Sequence, residues 1–403
     1  MGRALSAAVL VALSTVAPAL AENGPGVTET EIKIGQTMPY SGPASGYAIV
    51  GRTEQAFYNR VNSTGGVNGR KINFLSYDDA YSPPKTVEQM RRLVEQDNVF
   101  ATFGSLGTPT NTAIWKYMNQ KKVPHLFIST GAEKWNDPKN YPYTISLYAS
   151  YLMEARTAAR YILQTKPDAK IGILSQNDDF GRDYVKGFKD GLGAKAATMI
   201  VKEATYEISD ATIDSQLVAL KNSGADTFYD VTTPKFGAQA VKKVAEIGWK
   251  PLHYIVSVAS SIKSVLVPAG IENSVGLVTA VVAKTPGDPQ WKDSQDVKDY
   301  LAFMKEWNSG SDPDDQSAVT GYISAWLTTE VLKRCGGDLT RENLMRVVTS
   351  IKDQAAPLLL PGVTVSISPD DYSPYGKLQV TQFDGKTWQL VGPVIDAKKV
   401  SER

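Results

Sequence analysis

Residues Ile32–Met38 read IKIGQTM, a β-branched, alternating run that predicts a strand. Tyr47–Val61 follows, with apolar residues at Ile49, Ala56, Phe57 and Val61, close to helical spacing, until Gly65-Gly66 stops it. Lys71–Tyr77 returns to a strand pattern. The chain then continues in the same order: Thr86–Gln96 as helix, Val99–Phe103 as strand, Asn111–Gln120 as helix, His125–Ser129 as strand. Such alternation makes βαβ units, and these build a parallel sheet covered by helices on both faces, an α/β fold.

A second series begins at Tyr151, whose helix carries Tyr151, Ala155, Ala158 and Ile162 on one face. Strands are predicted at Lys170–Leu174, Thr198–Glu203, Asp226–Val231 and His253–Val258. Helices alternate with them at Gly181–Leu192, Asp210–Lys221 (with Asp210 as its N-cap) and Pro234–Ile247. Gly276–Ala283 is apolar and β-rich. Helices at Asp296–Trp307, Ala318–Arg334 and Arg341–Ser350, the last capped by Thr340, precede short C-terminal strands. No repeat, low-complexity tract or long linker interrupts the chain. Two α/β bodies joined by short strand-like connections, near Tyr141–Ser150 and Gly276–Thr285, are the expected organisation.

Residues 1–21 read as a removable export signal. Arg3 is the positive start, Ala4–Val16 the apolar stretch, and Ala19-Leu20-Ala21 the small-x-small cleavage pattern. The apolar run is shorter than the roughly 20 residues that span a bilayer. No cysteine follows the cleavage point, so a lipid anchor is not expected. Of the 403 residues, 42% are hydrophobic, enough for two or three cored domains. Charges nearly cancel, 43 Lys and Arg against 42 Asp and Glu, so no footprint for nucleic acid or an anionic membrane is present. Cys335 stands alone and reads as a small buried hydrophobe.

Several segments together resemble one family. Ile34–Pro43 (IGQTMPYSGP), Gly65–Gly69, Tyr77-Asp78-Asp79, Phe103–Thr108 (FGSLGT), Ile128–Ala132 (ISTGA), Gln176–Gly181 (QNDDFG) and Ser223–Asp226 (SGAD) are similar, in order and spacing, to periplasmic binding proteins of the branched-chain amino-acid type. The resemblance implies a type I periplasmic binding protein fold: two doubly wound lobes joined by three hinge crossovers, with the ligand between them. Residues 22–147 and 283–357 would form the first lobe, and 148–282 and 358–403 the second. It also implies a monomeric periplasmic receptor that delivers a small carboxylate-bearing ligand to the inner-membrane permease subunits of an ABC importer. A ligand-sensing receptor of the same fold, for amides or related compounds, is the alternative.

Within that frame, Gly107–Asn111 (GTPTN) lies between a strand and a helix. Thr108 suits an N-cap and Pro109 the first helical position, which leaves the Thr110 and Asn111 amides free to meet a carboxylate. The family resemblance maps the carboxylate-binding hydroxyl onto Thr108. Ser129, Thr130 and Gly131 end the next strand, where open α/β sheets place ligand contacts. Tyr47, Tyr151 and Phe180 are candidates for the apolar walls, with Thr232 from the second lobe; Tyr40, Trp135 and Tyr148 belong to the same aromatic set. Glu133 stands where a bound carboxylate would be repelled unless the side chain turns away. The family's acid for an α-ammonium is missing from Val256–Ser261, which favours an aromatic or other apolar acid, with Glu133 or Asp230 as possible replacements.

Catalysis, metal and cofactors are not expected. His125 and His253 are the only histidines, both in strands, and Ser45 of Gly42–Gly46 falls one position late for a nucleophile elbow. Asp312–Asp315 lacks the alternating ligands of a calcium loop, and Gly187, Gly191 and Gly193 do not make a dinucleotide fingerprint.

Overall fold

Strand patterns become strands, and these sort into two sheets in a computed structural model that describes residues 23–400. The export signal expected over residues 1–21 lies outside the described residues. The first sheet holds β1 (Glu31–Met38), β2 (Lys71–Asp78), β3 (Ala101–Phe103), β4 (His125–Ile128) and β5 (Thr144–Ser146), in the order β2-β1-β3-β4-β5, all parallel. The second sheet holds β6 (Ile171–Gln176), β7 (Ile200–Tyr206), β8 (Thr227–Val231), β9 (Leu252–Ile255), β10 (Val278–Val281), β11 (Lys377–Phe383) and β12 (Trp388–Asp396). Its order is β12-β11-β10-β9-β8-β6-β7, with β11 antiparallel to both its neighbours. Strands covered on both faces, such as β6 and β8, are buried along their whole length. The edge strands β7 and β12 carry exposed residues instead, which keeps an open edge from recruiting another chain.

Each lobe is discontinuous. Helix α1 (Ala48–Ser63) packs its apolar face on the helix Gln316–Arg334, where Phe57 meets Tyr322 edge-on at 5.1 Å. Residues 295–348 therefore pack on the first lobe. The third passage between lobes lies later than the boundary expected at residue 358. Ile367 N–H donates to Ile351 O, Tyr372 N–H to Asn136 Oδ1 and the Tyr372 hydroxyl to Pro142 O, so this stretch stays on the first lobe until about Gly376. Its short bridges have no period by which a sequence pattern could place them.

Helix α2 (Pro83–Arg91) follows β2, and α3 (Thr108–Gln120) follows β3. In the second lobe, α4 (Tyr151–Thr165) lies along α5 (Asp179–Leu192). A Cβ on Gly187 would come within 2.6 Å of Leu152 Cα, and one on Gly191 within 2.7 Å of Ala159 Cβ. The glycines on α5 thus form a notch for α4. Gly187→Val is expected to lower the unfolding free energy in urea by about 1–3 kcal/mol, the usual cost of overpacking; a midpoint equal to that of the native protein would contradict the notch. Asp210 does not cap a helix. It accepts the Glu207 N–H at 2.9 Å, and the helix starts later, at Asp214. Thr340 does cap Arg341–Val348, through the Asn343 N–H, and Cys335 is buried.

Candidate functional site

Parallel strands leave their C-terminal ends in one row, and the segments after β2, β3, β4, β6, β8 and β9 meet between the lobes. There they enclose a small cavity lined by Tyr47, Tyr81, Thr108, Ser129, Tyr151, Phe180 and Thr233, among others.

The turn into α3 is set by Gly107, whose φ of 107° and ψ of 143° are open only to glycine. Gly107, not Thr108, is the N-cap residue, and Thr108 is the first helical residue. The Asn111 N–H is consequently used, bonding Gly107 O at 3.2 Å, which leaves the amides of Thr108 and Thr110 as those preceding the first helical acceptor. A buried network holds this turn. Asn111 Nδ2 donates to Ser105 O at 3.1 Å and to Gly107 O at 2.7 Å. Its Oδ1 is then left to accept from His125 Nε2 at 2.7 Å, and His125 Nδ1 accepts from the Thr102 hydroxyl at 2.7 Å. Burial pushes the His125 pKa down to about 3, so the ring is neutral and serves as a bracket.

Strand β4 ends in a bulge between Leu126 and Ile128, with Phe127 at a φ of 54°. The bulge re-aims the strand end, and Ser129 N–H bonds Ser105 O at 2.9 Å. Ser129 lines the cavity. Thr130 stands behind it, its hydroxyl 2.6 Å from that of Thr108 and 3.4 Å from Trp135 Nε1. Gly131 is not in the lining; it accepts the Tyr151 N–H at 2.8 Å and makes room for the Tyr151 ring. Burial raises the pKa of the Tyr151 phenol, while contacts from Thr130, the Gly131 amide and Thr108 act against that rise. One phenol and two threonine hydroxyls are thereby brought together at the start of α3.

The second lobe supplies the facing wall. Asp178 caps α5 through the Gly181 N–H at 3.2 Å and sets Phe180 in the first turn, edge-on to Tyr151 at 5.4 Å. Thr232 is not part of the wall. Its side chain faces Gly237, and the strand alternation presents Thr233 to the cavity instead. Contacts cross the cleft at several points. The Tyr47 hydroxyl donates to Val258 O at 3.0 Å, Glu133 N–H to Asp183 Oδ2 at 2.9 Å, and Lys134 pairs with Asp179. The Glu133 carboxylate turns away and accepts from the Ser150 hydroxyl at 2.6 Å. Asp230 is occupied by His253 Nε2 at 3.0 Å. Tyr40 is not in the lining; its hydroxyl lies 2.6 Å from that of Ser76, and its ring packs on the buried cluster that includes Tyr47 and Tyr81.

Tyr81, Thr233 and Glu154 lacked any signal of their own in the sequence, although the strand-end rule would have singled out Tyr81, which lies just past β2. Glu154, one turn into α4, lines a larger adjoining cavity of about 90 Å³ toward the crossovers. The two cavities share Tyr47, Tyr148 and Val258 as walls. Glu154 accepts Ser257 N–H at 2.7 Å, the Ser257 hydroxyl at 2.7 Å and the Tyr184 hydroxyl at 2.8 Å. The strand end that lacks its own acid therefore receives one from another element.

Residues 31–387 match the profile of the periplasmic binding protein family. A Brucella abortus protein named Leu/Ile/Val-binding protein homolog 7 is 22% identical over 348 residues, covering 81% of this chain and 82% of that one. Among solved structures, a branched-chain amino acid ABC transporter protein from Thermus thermophilus with bound valine has a TM-score of 0.82 at 16% identity, covering 93% of this chain and 99% of its own. A fatty acid ABC transporter substrate-binding protein from Thermomonospora curvata has a TM-score of 0.78 at 22% identity, covering 94% and 96%. A solute binding protein from Rhodopseudomonas palustris BisB5, in complex with 3,4-dihydroxy benzoic acid, has a TM-score of 0.77 at 20% identity, covering 91% and 98%. Two doubly wound lobes meeting at their strand ends have the type I architecture of these neighbours, and the chain belongs to the periplasmic binding protein family.

Proposed function

We propose that this protein is the extracytoplasmic solute-binding component of an ABC importer, and that it holds a small carboxylic acid with an apolar body between its lobes. The observation that carries this reading is the meeting, at one nook of about 20 Å³, of the Thr108 helix start with Ser129, Tyr151 and Phe180. A buried water needs about 10–15 Å³, so the nook suits a head group and no more. Unpaired amides and hydroxyls at a helix start attract an anion without any lysine or arginine. The lobes would close on the ligand by hinge movement at the three crossovers, and the closed form is what a permease would recognise. The low polarity of the aromatic walls would strengthen each hydrogen bond to the carboxylate.

Calorimetric titration with leucine, valine, benzoate and 4-hydroxycinnamate, each beside its amide, tests the reading. Acids are expected to bind and amides to bind at least tenfold more weakly; amides binding as well as acids would favour the sensor alternative. Thr108→Ala is expected to weaken the tightest of these acids by about 1–3 kcal/mol, the range of a hydrogen bond to a charged group. Unchanged affinity would remove Thr108 from the site.

A further inference from the structure

The nook beside Thr108 is too small for a whole ligand, whereas the adjoining chamber is several times larger and has a carboxylate in its wall. We propose that this hinge-side chamber is the second half of the ligand site, and that Glu154 receives a hydrogen-bond donor carried at the far end of a carboxylic acid with an apolar body. The proposal rests on the reading of the Thr108 nook as the carboxylate seat.

The chamber is mostly apolar in its lining, with Leu147, Val281, Ile323 and Leu378 beside Tyr148 and Tyr375. These residues come from all three passages between the lobes, so a ligand body filling the chamber touches each crossover. Ser257, Ser261, Gln316, Ser317 and Thr320 add neutral polar groups, Glu154 is the charged residue of this lining, and its side chain is only 2% exposed. A carboxylate offers about four acceptor positions. Three are used, one on Oε1 by the Ser257 amide and two on Oε2 by the Ser257 and Tyr184 hydroxyls. The Ser257 amide can only donate, so Oε1 is held as an acceptor with one position left, while burial raises the Glu154 pKa and the three bonds act against that rise. No lysine or arginine pairs with Glu154 among the described residues. A buried acidic acceptor with spare capacity rewards a ligand that brings a donor and disfavours one that ends in a methyl group. The placement along α4 supports the same division: Tyr151 faces the nook, and Glu154, three residues on and on the same helical face, faces the chamber.

Titration of the native protein with hexanoate, 6-hydroxyhexanoate and 6-aminohexanoate tests the proposal. The hydroxy and amino acids are expected to bind at least tenfold more tightly than hexanoate, and Glu154→Gln to reduce that ratio to within about threefold. Ser257→Ala, which keeps the backbone N–H on Oε1 and frees one acceptor position on Oε2, is expected to keep the ratio or raise it, a result that a purely structural glutamate would not produce. Equal binding of the three acids by the native protein, or binding by none, overturns the proposal. Thr108→Ala separates the two readings: if it leaves the affinity for all three acids unchanged, the carboxylate seat fails, whereas equal affinities that all fall in Thr108→Ala refute only the role of Glu154.

Discussion

Glu54→Gln will reduce the loss of stability that the native protein suffers as pH rises from 5 to 9. Glu54 is fully buried under α1 in the first lobe, where Gln36 Nε2 donates to one of its oxygens. The Gln36 side chain is itself held by the Ser76 hydroxyl at 2.8 Å, and Ser76 by the Tyr40 hydroxyl at 2.6 Å. No lysine or arginine pairs with Glu54 among the described residues, and burial pushes its pKa up to about 8 from an ordinary value of 4.5. A folded-state pKa above the unfolded one means that the native state holds a proton the unfolded chain has released. The associated stability is complete below pH 4.5 and is lost as pH rises through 8. Over the interval from pH 5 to 9 this amounts to on the order of 4 kcal/mol. Glutamine has the shape of the protonated acid and does not titrate. Urea unfolding at pH 5, 7 and 9 should therefore give a falling series for the native protein and a shallower one for the variant, in which Asp79, its pKa pushed up to about 6 by burial, still titrates. Parallel series would mean that Glu54 ionises without cost. The acid flank is set elsewhere: His125, held neutral with its pKa near 3, favours the folded state above pH 6.5 and loses that contribution as pH falls toward 3.

How far the sequence discloses this molecule depends on the range over which each feature is encoded. Strands such as Ile32–Met38 and Ile171–Gln176 announce themselves through local composition, and their order dictates a doubly wound sheet. The stretch from 354 to 375 does not, because single bridges such as Gln354 with Val365 hold it and no face repeats. The site shows the same division. Thr108 and Ser129 are legible because they end parallel strands, where a ligand site belongs in any such sheet. The one-residue error at the α3 start arises because Thr-Pro is an equally good capping pair, and only the positive φ of Gly107 reveals that the helix begins earlier. Thr232 and Thr233 cannot be separated without knowing which face of β8 meets the cleft. Glu154 was hidden for a different reason. An acidic residue in the first turn of a helix is the ordinary complement to the helix dipole, and its partner Ser257 lies 103 residues away.

Gly107→Ala will abolish most ligand binding while leaving the protein folded. The backbone at φ 107° and ψ 143° lies in a region that an alanine enters only at a cost of about 1–3 kcal/mol. The added Cβ would also sit 2.5 Å from Thr110 Oγ1 and 2.6 Å from the ring of Tyr81, which is part of the site's own wall. Relief requires the turn to rotate, and that rotation moves everything the turn aims. The Thr108 hydroxyl leaves its partner on Thr130, and the free amides of the first α3 turn swing away from the nook. The bracket of Asn111 and His125 resists such a rotation, so the strain concentrates in the turn rather than spreading into the sheet. The expected result is a loss of at least 100-fold in affinity for the tightest-binding acid, against a loss of about 2–4 kcal/mol in unfolding free energy. A loss well beyond that seen in Thr108→Ala would show that the turn positions several donors at once, because removing one hydroxyl leaves the amides in place. Calorimetry on both variants at one pH, with urea unfolding as the control for folding, decides the matter. Native affinity in a folded Gly107→Ala protein would show that the anion is seated somewhere other than the start of α3.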